Sequence, residues 1–334
     1  MSNTRKVLVT GAAGFIGSHV ADKCIQIGYD VVATDDLSGG FLENVPKEAT
    51  WVQGDLRSSE FVSSLWIDHG PFDYVYHLGA YAAEGLSHFI RVYNYSTNLV
   101  ASMNLINEAI KGRCKCFVFT SSIAVYGKGQ LPMTEQMIPK PEDPYGISKY
   151  AVELDLRSAH EMFGLNYIVF RPHNVYGERQ NIADRYRNVI GIFMNQAIQG
   201  KPMPVFGDGK QTRAFSHVDD VAPLIASSPQ VASAYNEEFN IGADTPYTIL
   251  ELSREISKAF NVPLQVEHLP ARNEVVHAFS DHSKLKYHFN ANSPITLESG
   301  IARMANWVKS RGPAQPVRFS NIEILEKLPK SWAE

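Results

Sequence analysis

Cysteine is scarce: the 334 residues contain three, Cys24, Cys114 and Cys116. Three thiols cannot build a disulfide framework. Cys114 and Cys116 stand one residue apart, without the second Cys or His cluster that a zinc site needs. Core or surface thiols are expected, and no metal. Long apolar runs are missing as well. No stretch approaches 18 uninterrupted apolar residues, so no membrane span is expected. Met1 leads within a few residues into a strand-like segment, with no apolar leader ahead of a cleavage site. A reducing, cytoplasmic setting is the resulting expectation. Charge of one sign is not in excess either: 31 Lys and Arg face 35 Asp and Glu, for a net −4. Such a balance offers no bulk attraction to nucleic acid or anionic lipid. Internal repeats and low-complexity segments are absent.

What is present is alternation. Lys6-Val-Leu-Val-Thr10 reads as a buried parallel strand, followed by a glycine-rich turn from Gly11 to Gly17 into a helix. Short strands recur at Asp30–Thr34, Thr50–Gln53, Tyr74–Leu78, Cys116–Thr120 and Tyr167–Arg171. Between them, Val92, Leu99, Met103, Ile106 and Ile110 recur at steps of three, four and seven, which predicts one helix over Val92–Ile110. After Pro144 a second helix carries Val152, Leu156, Ala159 and Phe163 on one face. Such alternation predicts an α/β fold, a Rossmann-type doubly wound parallel sheet.

Past Arg171 the rhythm changes. Helical patterns occupy Val189–Gln199, Leu250–Phe260 and Thr296–Lys309, while Phe239-Asn-Ile241 reads as a strand returning to the sheet. The expected division is therefore a dinucleotide-binding domain over 1–174, rejoined at about 215–245. A smaller mixed α/β substrate-binding lobe would take 175–214 and 246–334. The tail from Gly312, with three prolines, is expected to be irregular and wrapped over the surface.

Gly11, Gly14 and Gly17 form a G-x-x-G-x-x-G loop between strand and helix, with Phe15 and Ile16 inside it. Glycines there permit a tight turn and close backbone approach, so a pyrophosphate can sit on the helix N-terminus. Asp35 follows 18 residues beyond Gly17, at the end of the second strand. It can accept both hydroxyls of an adenosine ribose and would repel a 2′-phosphate, which predicts NAD rather than NADP. Asp36 beside it competes for the assignment. Asp55, in Gly54-Asp-Leu56, either bonds the adenine amino group or caps a turn. Leu56 and Leu78, at strand ends, complete the expected cofactor wall.

Tyr145-Gly-Ile-Ser-Lys149 sets a phenol and an ammonium at i and i+4 on one face of the helix that Pro144 introduces. A tyrosine titrates near 10, so using it as a base at pH 7 requires roughly 3 units, about 4 kcal/mol. A lysine and an oxidised nicotinamide nearby both favour the phenolate. The fifth strand ends in Thr120-Ser-Ser122, whose carboxyl end should open onto the cofactor crevice, where Ser122 can bond the reacting hydroxyl. Ser121 is the second candidate.

These residues carry a resemblance. The chain is similar to the extended short-chain dehydrogenase/reductases, and within them to nucleotide-sugar epimerases of the UDP-galactose (UDP-glucose) 4-epimerase type. The likeness spans about residues 5–310. It rests on the glycine loop, Tyr76-His-Leu-Gly-Ala80, Thr120-Ser-Ser-Ile-Ala-Val-Tyr-Gly127, Pro144-Tyr-Gly-Ile-Ser-Lys149, Arg171-Pro-His-Asn-Val-Tyr-Gly177, Phe206-Gly-Asp-Gly-Lys-Gln-Thr-Arg213 and Arg272. The resemblance implies that Tyr145 is the acid/base, that Lys149 holds the nicotinamide ribose and tunes Tyr145, and that Ser122 completes the triad. It puts Asn98 and His173 along the cofactor and sugar pocket. Asn174, Arg213 and Arg272 would hold the substrate diphosphate. It further implies a homodimer built on the helices Val92–Ile110 and Tyr145–Phe163, and a UDP-hexose as substrate. One departure is visible. Where related 4-epimerases often carry a lysine after the fourth strand, this chain reads Gly79-Ala-Tyr-Ala-Ala-Glu84. Glu84 is read as a solvated charge, with a substrate-side role as the alternative.

Related 4,6-dehydratases place Asp-Glu directly after the strand-end serine or threonine, and decarboxylases keep a glutamate at the second of those places. Here Ile123 and Ala124 stand there, which cannot transfer protons. That favours epimerisation at C4 through a transient ketone. A decarboxylase or 4-epimerase of uronates, a 3,5-epimerase and a non-catalytic NAD sensor are the alternatives. Counting back from Asp281 puts Ala278 beside the sugar's 2-position, with Phe279 as the alternative one residue on.

Overall fold

The computed structural model describes residues 4–129, 131–271, 276–291, 293–316, 318–329 and 332. The first half of the chain runs β1 (Lys6–Thr10), α1 (Phe15–Ile27), β2 (Asp30–Asp35), β3 (Thr50–Gln53), α2 (Ser59–His69) and β4 (Tyr74–His77). It continues through α3 (Glu84–Ser87), α4 (Arg91–Tyr95), α5 (Ala101–Lys111), β5 (Cys116–Thr120), α6 (Pro144–Phe163) and β6 (Tyr167–Pro172). Then follow β7 (Val175–Tyr176), α7 (Val189–Ile198), β8 (Met203–Phe206), β9 (Thr212–Ala214), β10 (Ser216–His217), α8 (Val218–Ser227) and β11 (Glu237–Ile241). The last elements are β12 (Pro246–Thr248), α9 (Ile249–Phe260), β13 (Val266–Leu269), β14 (His277–Ala278), α10 (Ser283–Phe289) and α11 (Leu297–Arg311).

Seven strands form one parallel sheet in the order β11-β6-β5-β4-β1-β2-β3. The central strands are buried along nearly their whole length because helices cover both faces, and this is why they read as continuous apolar runs. On one face Val7, Val9, Val118 and Phe170 pack with Val20 of α1 and Val221 of α8. On the other, Leu8, Val75, Phe117 and Val169 pack with Leu65 of α2, Leu105 of α5 and Leu156 of α6. Strand order reverses between β1 and β4, so a crevice opens at their carboxyl ends, the usual ligand position in such sheets. The smaller lobe has its own core, in which Phe193 of α7, Leu252 of α9 and Met304 of α11 meet.

Three features differ from the sequence expectation. The helix expected over Val92–Ile110 spans α4 and α5 but is broken between them by a π-helical turn, Ser96–Val100. Insertion of one extra residue per turn frees a carbonyl. The Ser102 hydroxyl donates to Asn98 O at 2.8 Å. Secondly, α10 lies in the range assigned to the lobe but packs under the main sheet, where Phe289 meets Phe170 and Phe239. Thirdly, the irregular tail is not merely superficial, since Trp332 is buried against Tyr186 and Phe89.

Candidate active site

A cleft of about 1960 Å³ runs along the carboxyl edge of the sheet, between the sheet and the smaller lobe. Its floor is the glycine loop. Gly11 has φ +66°, and a Cβ there would lie 2.7 Å from Gly79 N, so both the conformation and the contact require glycine. A side chain at Gly17 would collide with the Gly11 carbonyl. Gly14 caps α1 without any side-chain bond, which leaves the helix N-terminus open to an anion. Asp35, at the end of β2, is buried and accepts from Ala13 N at 3.2 Å and Leu37 N at 2.8 Å. Burial raises its pKa, and the two N–H donors oppose that rise. Asp36 only accepts from Ser38 N at 2.8 Å. The residues present therefore fit NAD: an uncapped helix end for its pyrophosphate and one carboxylate at the adenosine end. Phe15, Ile16, Leu56 and Leu78 line the same cleft. Asp55 lines it too, but its carboxylate grips the Arg57 guanidinium at 2.6 and 2.9 Å and the Arg57 N–H at 2.9 Å. That is the turn-capping geometry.

The cluster that the resemblance marks as catalytic stands over the middle of the sheet. Asp143 caps α6 by accepting from Gly146 N at 2.9 Å, and Pro144 opens its first turn. Tyr145 and Lys149 thereby enter the cleft together, at the end of β5. The Ser122 hydroxyl stands beside the Tyr145 phenol and favours its ionised form. Burial, and then the Glu84 carboxylate, push the phenol's pKa above its ordinary value. Lys149 donates to the Thr120 carbonyl at 2.8 Å, and its ammonium lies 5.9 Å from the centre of the Tyr145 ring. Burial brings the Lys149 pKa down to about 7, against the opposing pull of Glu153. A cation next to the phenol lowers the work of ionising it. Ser121, the second candidate, is committed elsewhere: its hydroxyl donates to Glu153 Oε1 at 2.5 Å.

That last contact belongs to a network the sequence reading missed. Glu153, one turn beyond Lys149, pairs with Arg171 of β6 at 2.5 Å, with both side chains essentially inaccessible. Arg171 also donates to Tyr126 OH at 2.8 Å, and that hydroxyl donates to Asn240 of β11 at 2.8 Å. Four elements are thus locked beneath the triad. A second chain ties β1 to β4. Thr10 Oγ1 accepts from Leu78 N and Gly79 N at 3.2 and 3.1 Å, so its proton goes to His77 Nδ1 at 2.7 Å. His77 Nε2–H then donates to Ser102 Oγ at 2.8 Å. Glu153 and His77 carry ordinary helix and strand signals in sequence; only their burial marks them.

On the sugar side, His173 and Asn174 follow β6 into the cleft. His173 Nδ1 donates to Ala214 O at 3.1 Å, and its Nε2 faces His282 at 3.1 Å. Burial, and then His282, push its pKa down to about 3, so it is a neutral imidazole. Asn174 donates to Ala214 O at 3.1 Å. Arg213 lines the cleft from β9, beside its register partner Ala278 on β14. Ala278 is among the lining residues and packs with Ile123 and Met133, whereas Phe279 is not among them. Arg272 falls outside the described residues. Asn98 does not line the cleft; it accepts from Tyr81 N at 2.8 Å and donates to Tyr81 O at 3.2 Å, so it shapes the loop after β4 instead. Glu84, read from sequence as a solvated charge, is exposed, but into the cleft and within electrostatic reach of Tyr145. Among the described residues, no group of three or more His, Cys, Asp or Glu converges as a metal site would. Nor is any helix long and apolar enough to cross a membrane.

The chain is similar to known proteins. A relative from Methanocaldococcus jannaschii described as a putative UDP-glucose 4-epimerase is 33% identical over 307 residues, 91% of this chain and 98% of its own. A UDP-N-acetyl-alpha-D-glucosaminuronate decarboxylase from Bacillus cytotoxicus is 28% identical over 322 residues, again 91% of this chain and 98% of its own. The crystal structure of the Thermotoga maritima UDP-glucose 4-epimerase with UDP-glucose has a TM-score of 0.87 at 32% identity, covering 92% of this chain and 99% of that one. The profile of the NAD dependent epimerase/dehydratase family matches residues 7–242, from the first strand of the sheet to the end of the returning β11. With the cradle for NAD and the Ser122–Tyr145–Lys149 cluster inside that span, the protein belongs to the NAD-dependent epimerase/dehydratase family, enzymes that act on nucleotide-sugars.

Proposed function

We propose that this enzyme epimerises a UDP-hexose at C4 through a transient 4-keto sugar. The observation that carries the reading is the apolar pair after Ser122. Ile123 and Ala124 line the cleft where a neighbouring acid or base would be needed for dehydration or decarboxylation. Bound NAD supplies a hydride acceptor that becomes the donor in the second half of the cycle. Tyr145 takes the C4 hydroxyl proton and later returns it, so no net proton is consumed. Ser122 holds the same hydroxyl. When protonated, Lys149 beside the phenol lowers the work of ionising it, against burial and Glu84. The ketone turns over between the two transfers, which requires a roomy site; small Ala124 and Ala278 leave that room. Asn174 and Arg213 hold the diphosphate, with Arg272 the third expected member.

The working form in this reading is a homodimer. Ile147, Leu154, Met162 and Phe163 on α6 are exposed, as are Val92 and Val100 on the helix beside it. That exposed apolar face suits a four-helix contact between two copies. Light scattering on the purified protein should return twice the chain mass.

The deciding experiment incubates the enzyme with UDP-glucose, UDP-galactose, their N-acetyl forms and UDP-glucuronate, and resolves the products by NMR. Interconversion at C4 without loss of carbon is expected. Conversion of UDP-glucuronate to carbon dioxide and a UDP-pentose would replace this reading with a decarboxylase, and retention of NAD with no turnover at all would point to a sensor.

A further inference from the structure

Arg187 is not used by any step above, yet it reaches across the cleft. It sits in the loop ahead of α7, on the lobe side, with its side chain 17% exposed. Asp184 accepts from its Nε at 2.6 Å, and its guanidinium lies 4.7 Å above the Tyr81 ring. These contacts fix the base of the fork, and the residue lines the cleft. On the far side stands the segment after β2. A Cβ placed on Gly39 would lie 3.1 Å from Arg187 Nη2. One residue on, a Cβ at Gly40 would lie 2.7 Å from Gly14 N, at the open end of α1. Phe41 N donates to Ala13 O at 2.9 Å, pinning this segment against the glycine loop. The lobe thus carries a guanidinium to the segment that packs on the glycine loop.

Charge makes the arrangement informative. A dinucleotide diphosphate carries two negative charges, while a helix N-terminus offers only about half a positive one. The nearby cation on the sheet side, Arg57, is consumed by both oxygens of Asp55. Lys149 is directed at the Thr120 carbonyl below the triad.

We propose that Arg187 is a cross-lobe clamp on the diphosphate of NAD, closing over the cofactor from the lobe that otherwise serves the sugar. A planar fork suits phosphate oxygens bidentately, and its pre-set geometry limits the entropy lost on binding. Tyr81 and Asp184 are positioning residues for this fork. The inference is independent of which sugar the enzyme converts, because it concerns cofactor affinity alone.

Calorimetric titration of cofactor-stripped protein tests it. Arg187→Met should weaken NAD binding at least tenfold while leaving adenosine, which lacks the diphosphate, within twofold of wild type. Arg187→Lys should fall between the two. UDP affinity of the NAD-loaded protein should change less than twofold. Unchanged NAD affinity in Arg187→Met would overturn the proposal, and so would an equal loss of NAD and adenosine. Loss of UDP binding with NAD unaffected would assign the guanidinium to the substrate diphosphate and overturn it as well.

Discussion

At the scale of single residues, the site contains one tyrosine whose surroundings both hinder and help it. Burial and Glu84 oppose ionisation of Tyr145, whereas Ser122 favours it. Tyr145→Phe removes only the oxygen proposed to move the proton, so NAD binding and folding should persist while turnover falls about 10²–10⁴-fold. Single-turnover rates and calorimetric titration with NAD on the same sample check this. Lys149 allows a second prediction, with a definite sign. Its pKa is brought down to about 7 in the fold, below the value near 10.4 of an unfolded chain. Between those values the unfolded chain binds more protons, so stability rises with pH there. The cost of the buried ammonium is complete below pH 7 and fades toward pH 10. Cofactor-free Lys149→Met should therefore gain most in Tm over wild type near pH 6, with the gain shrinking by pH 10. A pH-independent difference would show that the lysine is not the buried cation described. Ala278 tests the size of the sugar site. Ala278→Tyr adds a ring where space beside Ile123 is limited, and overpacking costs about 1–3 kcal/mol. Activity on N-acetylated substrates should drop selectively; equal rates on both substrate types would refute the placement.

Among elements, the informative relation is between α6 and the strands beneath it. The helix presents Tyr145 and Lys149 to the cleft and buries Glu153 on Arg171 one turn later. Such a pair positions the helix against β6, and through Tyr126 and Asn240 against β11. Removing one partner leaves the other charge buried without compensation. Glu153→Ala should destabilise the protein by about 3–5 kcal/mol, measured by denaturant unfolding. The π-helical turn between α4 and α5 packs against α6 itself. It places Asn98 where its amide holds both the N–H and the carbonyl of Tyr81. Tyr81 in turn is the platform under Arg187.

For the whole molecule, the tail decides how the two sides of the cleft are joined. After α11 the chain crosses back to the sheet domain. Glu323 accepts from Val92 N and Tyr93 N at 2.8 Å, at the start of α4. Phe319 packs on Tyr93 and Tyr81, and its N–H donates to Tyr186 OH at 3.2 Å. Trp332 fills the space between Tyr186 and Phe89. The M. jannaschii relative is matched over 98% of its own length by 91% of this chain, so 9% of this chain lies outside the shared region. Trp332→Ala should cost about 3 kcal/mol, the lower end for a buried aromatic, because its cluster is small. Thermal melts read that loss. Hydrogen exchange should rise first in 81–93 and 184–188; a loss confined to the last residues would show that the tail merely rests on the surface.

Much of this was legible in one dimension because it depends on local chemistry. Strands buried on both faces must be apolar throughout, so the alternation of short apolar runs with helical periods was enough to predict the parallel sheet. A glycine forced to φ +66° against another backbone leaves its mark in the sequence, as does the Tyr145–Lys149 spacing on a helix opened by Pro144. Other features arise from contacts between residues far apart, and their sequence signals are ordinary. Asn98 sits in a strongly periodic segment, and only the π-helical turn, held by Ser102 and Tyr81, turns it away from the cleft. Glu84 looks like any surface carboxylate until α3 sets it near Tyr145. Glu153 and Arg171 are 18 residues apart, and Arg187 meets Gly39 across a cleft formed by two lobes. The sequence by itself determined the sheet, the cofactor turn and the placing of Tyr145 and Lys149 on one helix face, because each is written in neighbouring residues. Only tertiary structure decided which charges are buried, which are paired and which face the cleft, because desolvation and ion pairing depend on what the rest of the chain places around a side chain.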